Sequence, residues 1–86
     1  VPIEVTLMTR QGCHLCEVAA GELSRILPDY GLRASQVDID SDPELRAEYG
    51  DRVPVVLLNG KEHGYYTVDE HRLRPALQAL QNGHID

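Results

Sequence analysis

Cys13 and Cys16 stand with two residues between them where a β-branched apolar run gives way to a helical pattern, and they are the only cysteines in the 86 residues. A thiol at such a junction lies near the open end of a helix. The unpaired backbone N–H groups and the dipole there favour negative charge. The thiolate is the reacting species, and a free cysteine of pKa about 8.5 is only a few per cent ionised at neutral pH. Helix-end placement in a Cys-X-X-Cys motif lowers that value to about 3.5–7.5. The spacing also turns Cys16 toward the same side as Cys13, one turn on. A disulfide between them can then close and reopen with little backbone movement. The stretch Thr9-Arg10-Gln11-Gly12-Cys13-His14-Leu15-Cys16 therefore points to thiol–disulfide chemistry.

The flanking pattern predicts the elements that carry this motif. Val1–Thr9 contains Ile3, Val5, Thr6 and Thr9 and reads as a buried strand, followed by a loop at Arg10-Gln11-Gly12. From Cys13 the apolar positions Cys16, Ala19, Ala20, Leu23, Ile26 and Leu27 recur every three or four residues, as an amphipathic helix requires, and Pro28 and Gly31 end it. Glu17 and Glu22 in its N-terminal half suit the dipole. Leu32–Ile39 supplies a second strand, with Val37 and Ile39 alternating with Asp38 and Asp40. Asp42 caps a short helix with Pro43 at its first position, and Gly50 stops it. Pro54–Leu58 is almost wholly apolar and reads as a central strand. Asn59-Gly60 turns it into a hairpin whose return strand is Lys61–Tyr66, with Gly64 at a bulge. Asp69-Glu70 opens a last helix with Leu73, Ala76, Leu77 and Leu80 on one face. Pro75 predicts a kink, or a separate turn at Asp69–Arg72. Asn82–Asp86 reads as a frayed tail.

Composition narrows the function classes. The formal charge is −6, with no basic cluster among aromatics and neither Phe nor Trp, which argues against nucleic-acid binding. No apolar run spans a membrane and no secretory pattern is present. Residues 1–86 read as a single domain of modest core. The chain begins with Val1 rather than Met, which leaves room for an upstream piece. Two cysteines confined to one motif point to redox or metal chemistry in a reducing, cytoplasmic setting.

The whole layout, from Ile3 to about Leu80, resembles the thioredoxin fold, and within it the short glutaredoxin-like proteins. The residues that carry the resemblance are Thr9–Cys16, Val53-Pro54 and the Asp69-Glu70 helix start. It implies an α/β fold of order βαβαββα, a four-stranded mixed sheet of strand order 2-1-3-4 flanked by three helices. It also implies that Cys13 attacks, Cys16 resolves, Pro54 follows a cis peptide facing the disulfide, and Arg10 lies beside the thiolate. The activity implied is that of a thiol–disulfide oxidoreductase moving electron pairs. No cofactor would be bound, with glutathione a candidate co-substrate. The partners implied are a disulfide-containing protein or a glutathione mixed disulfide, and a reductant of glutathione or thioredoxin-reductase type, the protein acting as a monomer. Three positions depart from the glutathione-using pattern. His14-Leu15 replaces Pro-Tyr, Arg52-Val53-Pro54 replaces Thr-Val-Pro, and Tyr66-Thr67 replaces a Gly-Gly pair that helps hold a glutathione carboxylate. These bear on glutathione as the partner and leave the fold and redox class standing.

Each candidate residue has a plainer role beside the chemical one. Zinc would need further ligands at metal spacing, and His14, His63, His71 and His84 show no such pairing. The alternative function is a non-catalytic module that uses the same Cys-X-X-Cys to bind a partner, a metal or an iron–sulfur centre. His14 is a solvated first-turn residue or a positive charge that lowers the thiol pKa. Arg52 is a surface arginine or a fork for a substrate carboxylate. The Val53 backbone would pair with an extended substrate strand, while Tyr66 and Asp69 sit where the resemblance puts a ligand. Tyr65 and Tyr66 otherwise read as hairpin packing. Asp38, Asp40 and Asp42 read as a solvated loop and a helix cap, since the Gly and final Glu of a calcium loop are missing.

Overall fold

A computed structural model describes residues 3–83. Seven elements follow one another: β1 (Val5–Thr9), α1 (His14–Ile26), β2 (Ala34–Asp38), α2 (Pro43–Tyr49), β3 (Val55–Leu58), β4 (Lys61–Tyr65) and α3 (Glu70–Gln81). Single 3-10 turns at Leu27–Tyr30 and Ile39–Ser41 extend α1 and lead into α2. The sheet order is β2-β1-β3-β4, with β1 and β2 parallel and β3 antiparallel to both β1 and β4. This is the thioredoxin fold, a mixed four-stranded sheet with three helices.

The alternation of side chains across the strands explains the layers. Val5, Leu7, Val56 and Leu58 face one way and pack with Ala19, Leu23 and Ile26 of α1 and Leu73 and Leu77 of α3. Met8, Val55 and Leu57 face the other way onto Ile39, with Val37, Leu45, Tyr49 and Val53 around them. β3 is buried at all four positions because both faces are covered. β2 lies at an edge, which is why its polar start is tolerated.

Several boundaries differ from the sequence expectation. The first strand starts at Val5, while Glu4 instead exchanges hydrogen bonds with Asn59: the Glu4 N–H donates to Asn59 Oδ1 and the Asn59 N–H to the Glu4 carbonyl, both at 2.8 Å. The second strand is shorter than Leu32–Ile39, because the Asp38 carboxylate accepts the Asp40 N–H and turns the chain at Ile39. No separate turn precedes the last helix: α3 runs as one element with Pro75 inside it. The ring sits at an exposed position, so the His71 carbonyl left without a donor is on the solvent side. The hairpin bulge lies between Val56 and Leu57, whose partners Gly64 and Glu62 leave His63 as the extra residue. Extension of the first strand to Val1 and Pro2, and the frayed tail from His84 to Asp86, fall outside the described residues. Among the described residues no helix is long and apolar enough to cross a membrane.

Candidate functional site

The sheet register gathers one end of the fold. β1 and β4 run the same way and β3 runs against them, so the exit of β1, the start of β3 and the exit of β4 lie at one end of the sheet. Met8 pairs with Val55, which sets the Arg10–Cys13 loop and the Val53–Pro54 segment at that shared end. The Val53–Pro54 peptide is cis. Gly12 turns the loop with φ +73, a conformation that glycine adopts without penalty.

Cys13 is the N-cap of α1, with extended backbone (φ −99, ψ 105), and its Sγ accepts the Cys16 N–H at 3.1 Å. A sulfur thus occupies the place of a capping oxygen, aimed at by a donor that no helical carbonyl satisfies. The two sulfurs lie at disulfide-bonding distance, with Cα atoms 5.2 Å apart. Their surroundings are unequal. Cys16 is 3% exposed and sits on the inward face with Ala19 and Leu23, whereas Cys13 is half-buried at the loop end. Leu15 and Val18, on the outward face of the same turn, are 44% and 47% exposed.

The charged residues of the motif have partners the sequence did not single out. Arg10 grips Asp40, with Nη2 at 2.9 Å from Oδ1 and Nε at 3.4 Å from Oδ2. The parallel pairing of Thr9 with Asp38 puts the ends of β1 and β2 side by side, so residues just beyond them meet. An acidic run at the end of a strand parallel to the motif strand was the available signal. His14 is exposed, with Nδ1 3.9 Å from Glu17 Oε2. Asp42 caps α2 by accepting the Glu44 N–H at 2.9 Å.

Arg52 is three-quarters buried and surrounded by acids. Its Nε and Nη2 meet the two oxygens of Glu62 at 3.1 and 3.0 Å, and Nη2 also reaches Glu48 Oε2 at 3.3 Å. Its Nη1 donates to the Glu48 carbonyl at 2.6 Å and to Asp51 Oδ1 at 3.2 Å. The guanidinium lies 5.4 Å from the Tyr49 ring centroid. These hydrogen bonds, that to Glu62 first, hold the guanidinium pKa above its ordinary range. Tyr66, at φ +68, donates its hydroxyl to the Asp51 carbonyl at 2.9 Å and its N–H to the Pro54 carbonyl at 2.8 Å.

Asp69 is the N-cap of α3 and accepts the His71 N–H at 3.1 Å. It borders a cleft of about 460 Å³ between β4 and the start of α3, also lined by His63, Thr67 and Arg72. The cleft includes neither cysteine. In it the His63 Nε2 is buried without a partner, and burial, with the Arg72 charge, pushes the imidazole pKa down. Among the described residues no group of three or more His, Cys, Asp or Glu side chains is arranged to hold a metal ion.

The family model described as a glutaredoxin-like domain (DUF836) matches residues 4–78. An uncharacterized protein of Mycobacterium tuberculosis, and its counterpart in Mycobacterium bovis, are 47% identical over 76 residues, covering 83% of this chain and 78% of theirs. The X-ray structure of protein XcR50 from X. campestris superposes with a TM-score of 0.70 at 37% identity, covering 87% of this chain and 96% of that one. The thioredoxin of Fasciola hepatica shares the fold, with a TM-score of 0.62 at 22% identity over 88% of this chain and 78% of its own.

Proposed function

The chain belongs to the glutaredoxin-like domain (DUF836) family, and from that premise we propose that it is a dithiol thiol–disulfide oxidoreductase. The observation that carries the reading is the unequal pair: a half-buried Cys13 sulfur that accepts the Cys16 N–H, beside a fully buried Cys16.

In the reduced protein the Cys13 thiolate replaces the disulfide sulfur as acceptor of that N–H, and the bond gains charge assistance. The thiolate attacks one sulfur of a substrate disulfide. A mixed disulfide forms at Cys13, and the first substrate sulfur leaves as a thiolate that takes up a proton. Cys16 loses its proton and attacks Cys13 Sγ, which forms the internal disulfide and releases the second substrate sulfur. Two electrons have then passed to the substrate. Its two sulfurs take up one proton that came from Cys16 and one from solvent, the Cys13 proton having been released when its thiolate formed. A thiol reductant, glutathione or a thioredoxin-reductase system, returns the electrons. The substrate class is a protein disulfide or a glutathione mixed disulfide.

Trapping tests this order of attack. Cys16→Ser, incubated with a disulfide-bonded protein, should accumulate a covalent mixed disulfide that dithiothreitol releases, and Cys13→Ser should accumulate little. Equal trapping by both variants, or by neither, would contradict the proposal.

A further inference from the structure

Arg52 has five N–H donors, and the structure supplies five acceptors within hydrogen-bond distance: both oxygens of Glu62, the carbonyl and carboxylate of Glu48, and Asp51. No donor is left over for a substrate carboxylate. Three acidic side chains crowd the guanidinium, so a further anion would have to displace one of them. The fork is instead spent internally, tying the segment between α2 and β3 to β4.

A second fastening joins the same two parts of the fold. The Tyr66 hydroxyl holds the Asp51 carbonyl and the Tyr66 N–H holds the Pro54 carbonyl. Val53 and Pro54 thus lie between two anchors, Arg52–Glu62 on one side and Tyr66 on the other. Through the β1–β3 register, they face the end of the sheet from which Cys13 projects. Tyr66 holds a left-handed φ that a non-glycine residue rarely adopts, and its two hydrogen bonds account for its keeping it.

Resting on the oxidoreductase reading above, we infer that Arg52, Glu62 and Tyr66 form a clamp that positions the Val53–Pro54 segment for an incoming disulfide polypeptide, and that Arg52 is a positioning residue rather than a receptor for a substrate carboxylate. A polypeptide lying across Cys13 would meet this segment as a fixed edge. A small misplacement of such an edge is felt as a loss of rate, because the attacking geometry tolerates little error.

Single-turnover oxidation of the pre-reduced protein, quenched by alkylation, tests this with two probes. One is a cystine peptide blocked at both termini and lacking acidic side chains; the other is oxidised glutathione, which carries carboxylates. The clamp predicts that Arg52→Gln and Glu62→Gln slow oxidation by the blocked peptide to a similar degree, by about threefold to tenfold. Tyr66→Phe, which keeps the backbone bond, should slow it less. Alkylation of Cys13 as a function of pH should stay as in the wild type for all three, a result that general destabilisation would not give. A blocked peptide that reacts at the wild-type rate with both charge variants would overturn the clamp. So would a Glu62→Gln protein that reacts faster with oxidised glutathione while Arg52→Gln reacts slower with it alone, since Arg52 would then be an anion receptor. A wild-type protein oxidised by neither probe would overturn the oxidoreductase reading itself, and the clamp with it.

Discussion

Arg10 closes on Asp40 with both sides of its guanidinium, at 2.9 and 3.4 Å, so the cation three residues before Cys13 is balanced by the loop that follows β2. An arginine neutralised in this way supports a neighbouring thiolate less than a free one would. The pair is more than one-third exposed on each side, which keeps its contribution small and sensitive to salt.

Asp40→Asn should therefore lower the Cys13 thiol pKa, by about half a unit, since it removes a negative charge and releases Arg10. Arg10→Gln should move it the other way. The pH profile of iodoacetamide alkylation, measured in a Cys16→Ser background, reads both shifts. An unchanged Asp40→Asn profile would show that the Arg10–Asp40 pair does not act on the thiol, and one displaced to higher pH would contradict the sign of the effect.

Gly12→Ala should destabilise the protein by about 1 kcal/mol through backbone conformation alone. Gly12 has φ +73, while a Cβ there would meet no atom within 4 Å. Chemical denaturation of wild type and variant, both oxidised, measures the difference. A loss well above that value would mean that the loop is also packed against something.

Glu70 makes acid stability a second readout. Hydrogen bonds from Arg25 (2.7 Å) and Arg74 (2.7 Å), Arg25 being the larger cause, hold its carboxyl at about 2, below its ordinary 4.5. A carboxyl depressed in the folded state contributes stability that is present in full above its unfolded pKa. That contribution is lost as pH falls from about 4.5 through about 2. Thermal unfolding followed across this window should decline less steeply for Glu70→Gln than for wild type. Because the participating side chains are exposed by a third to a half, added salt should narrow the gap. Parallel declines would remove Glu70 from the account.

Local chemistry explains which features the sequence revealed. Cys13 and Cys16, the Asp42-Pro43 cap, the Asn59-Gly60 turn and the apolar β3 run each announce themselves through neighbours in the chain. The sheet order follows from their succession and from the resemblance. The partners of Arg10 and Arg52 are different in kind: Asp40 and Glu62 are 30 and 10 residues away, and only the strand pairings bring them close. Arg52 therefore reads either as a surface arginine or as a fork for a carboxylate, and its partner Glu62 is visible from neither reading. Pro75 predicts a kink or a separate turn, and the separate turn is not formed. Its cost is one hydrogen bond on the exposed side, and the buried Leu73 and Leu77 on the inner face keep α3 in one piece.

The central claim is the inequality of the two thiols, and alkylation rates against pH measure it most directly. In the Cys16→Ser protein, Cys13 should react quickly with iodoacetamide below pH about 7, with a midpoint in the lowered range of helix-end cysteines, about 3.5–7.5. In the Cys13→Ser protein, the buried Cys16 should react slowly, with a midpoint above the ordinary thiol value of about 8.5. A Cys16 that alkylates faster than Cys13 at neutral pH would contradict the account.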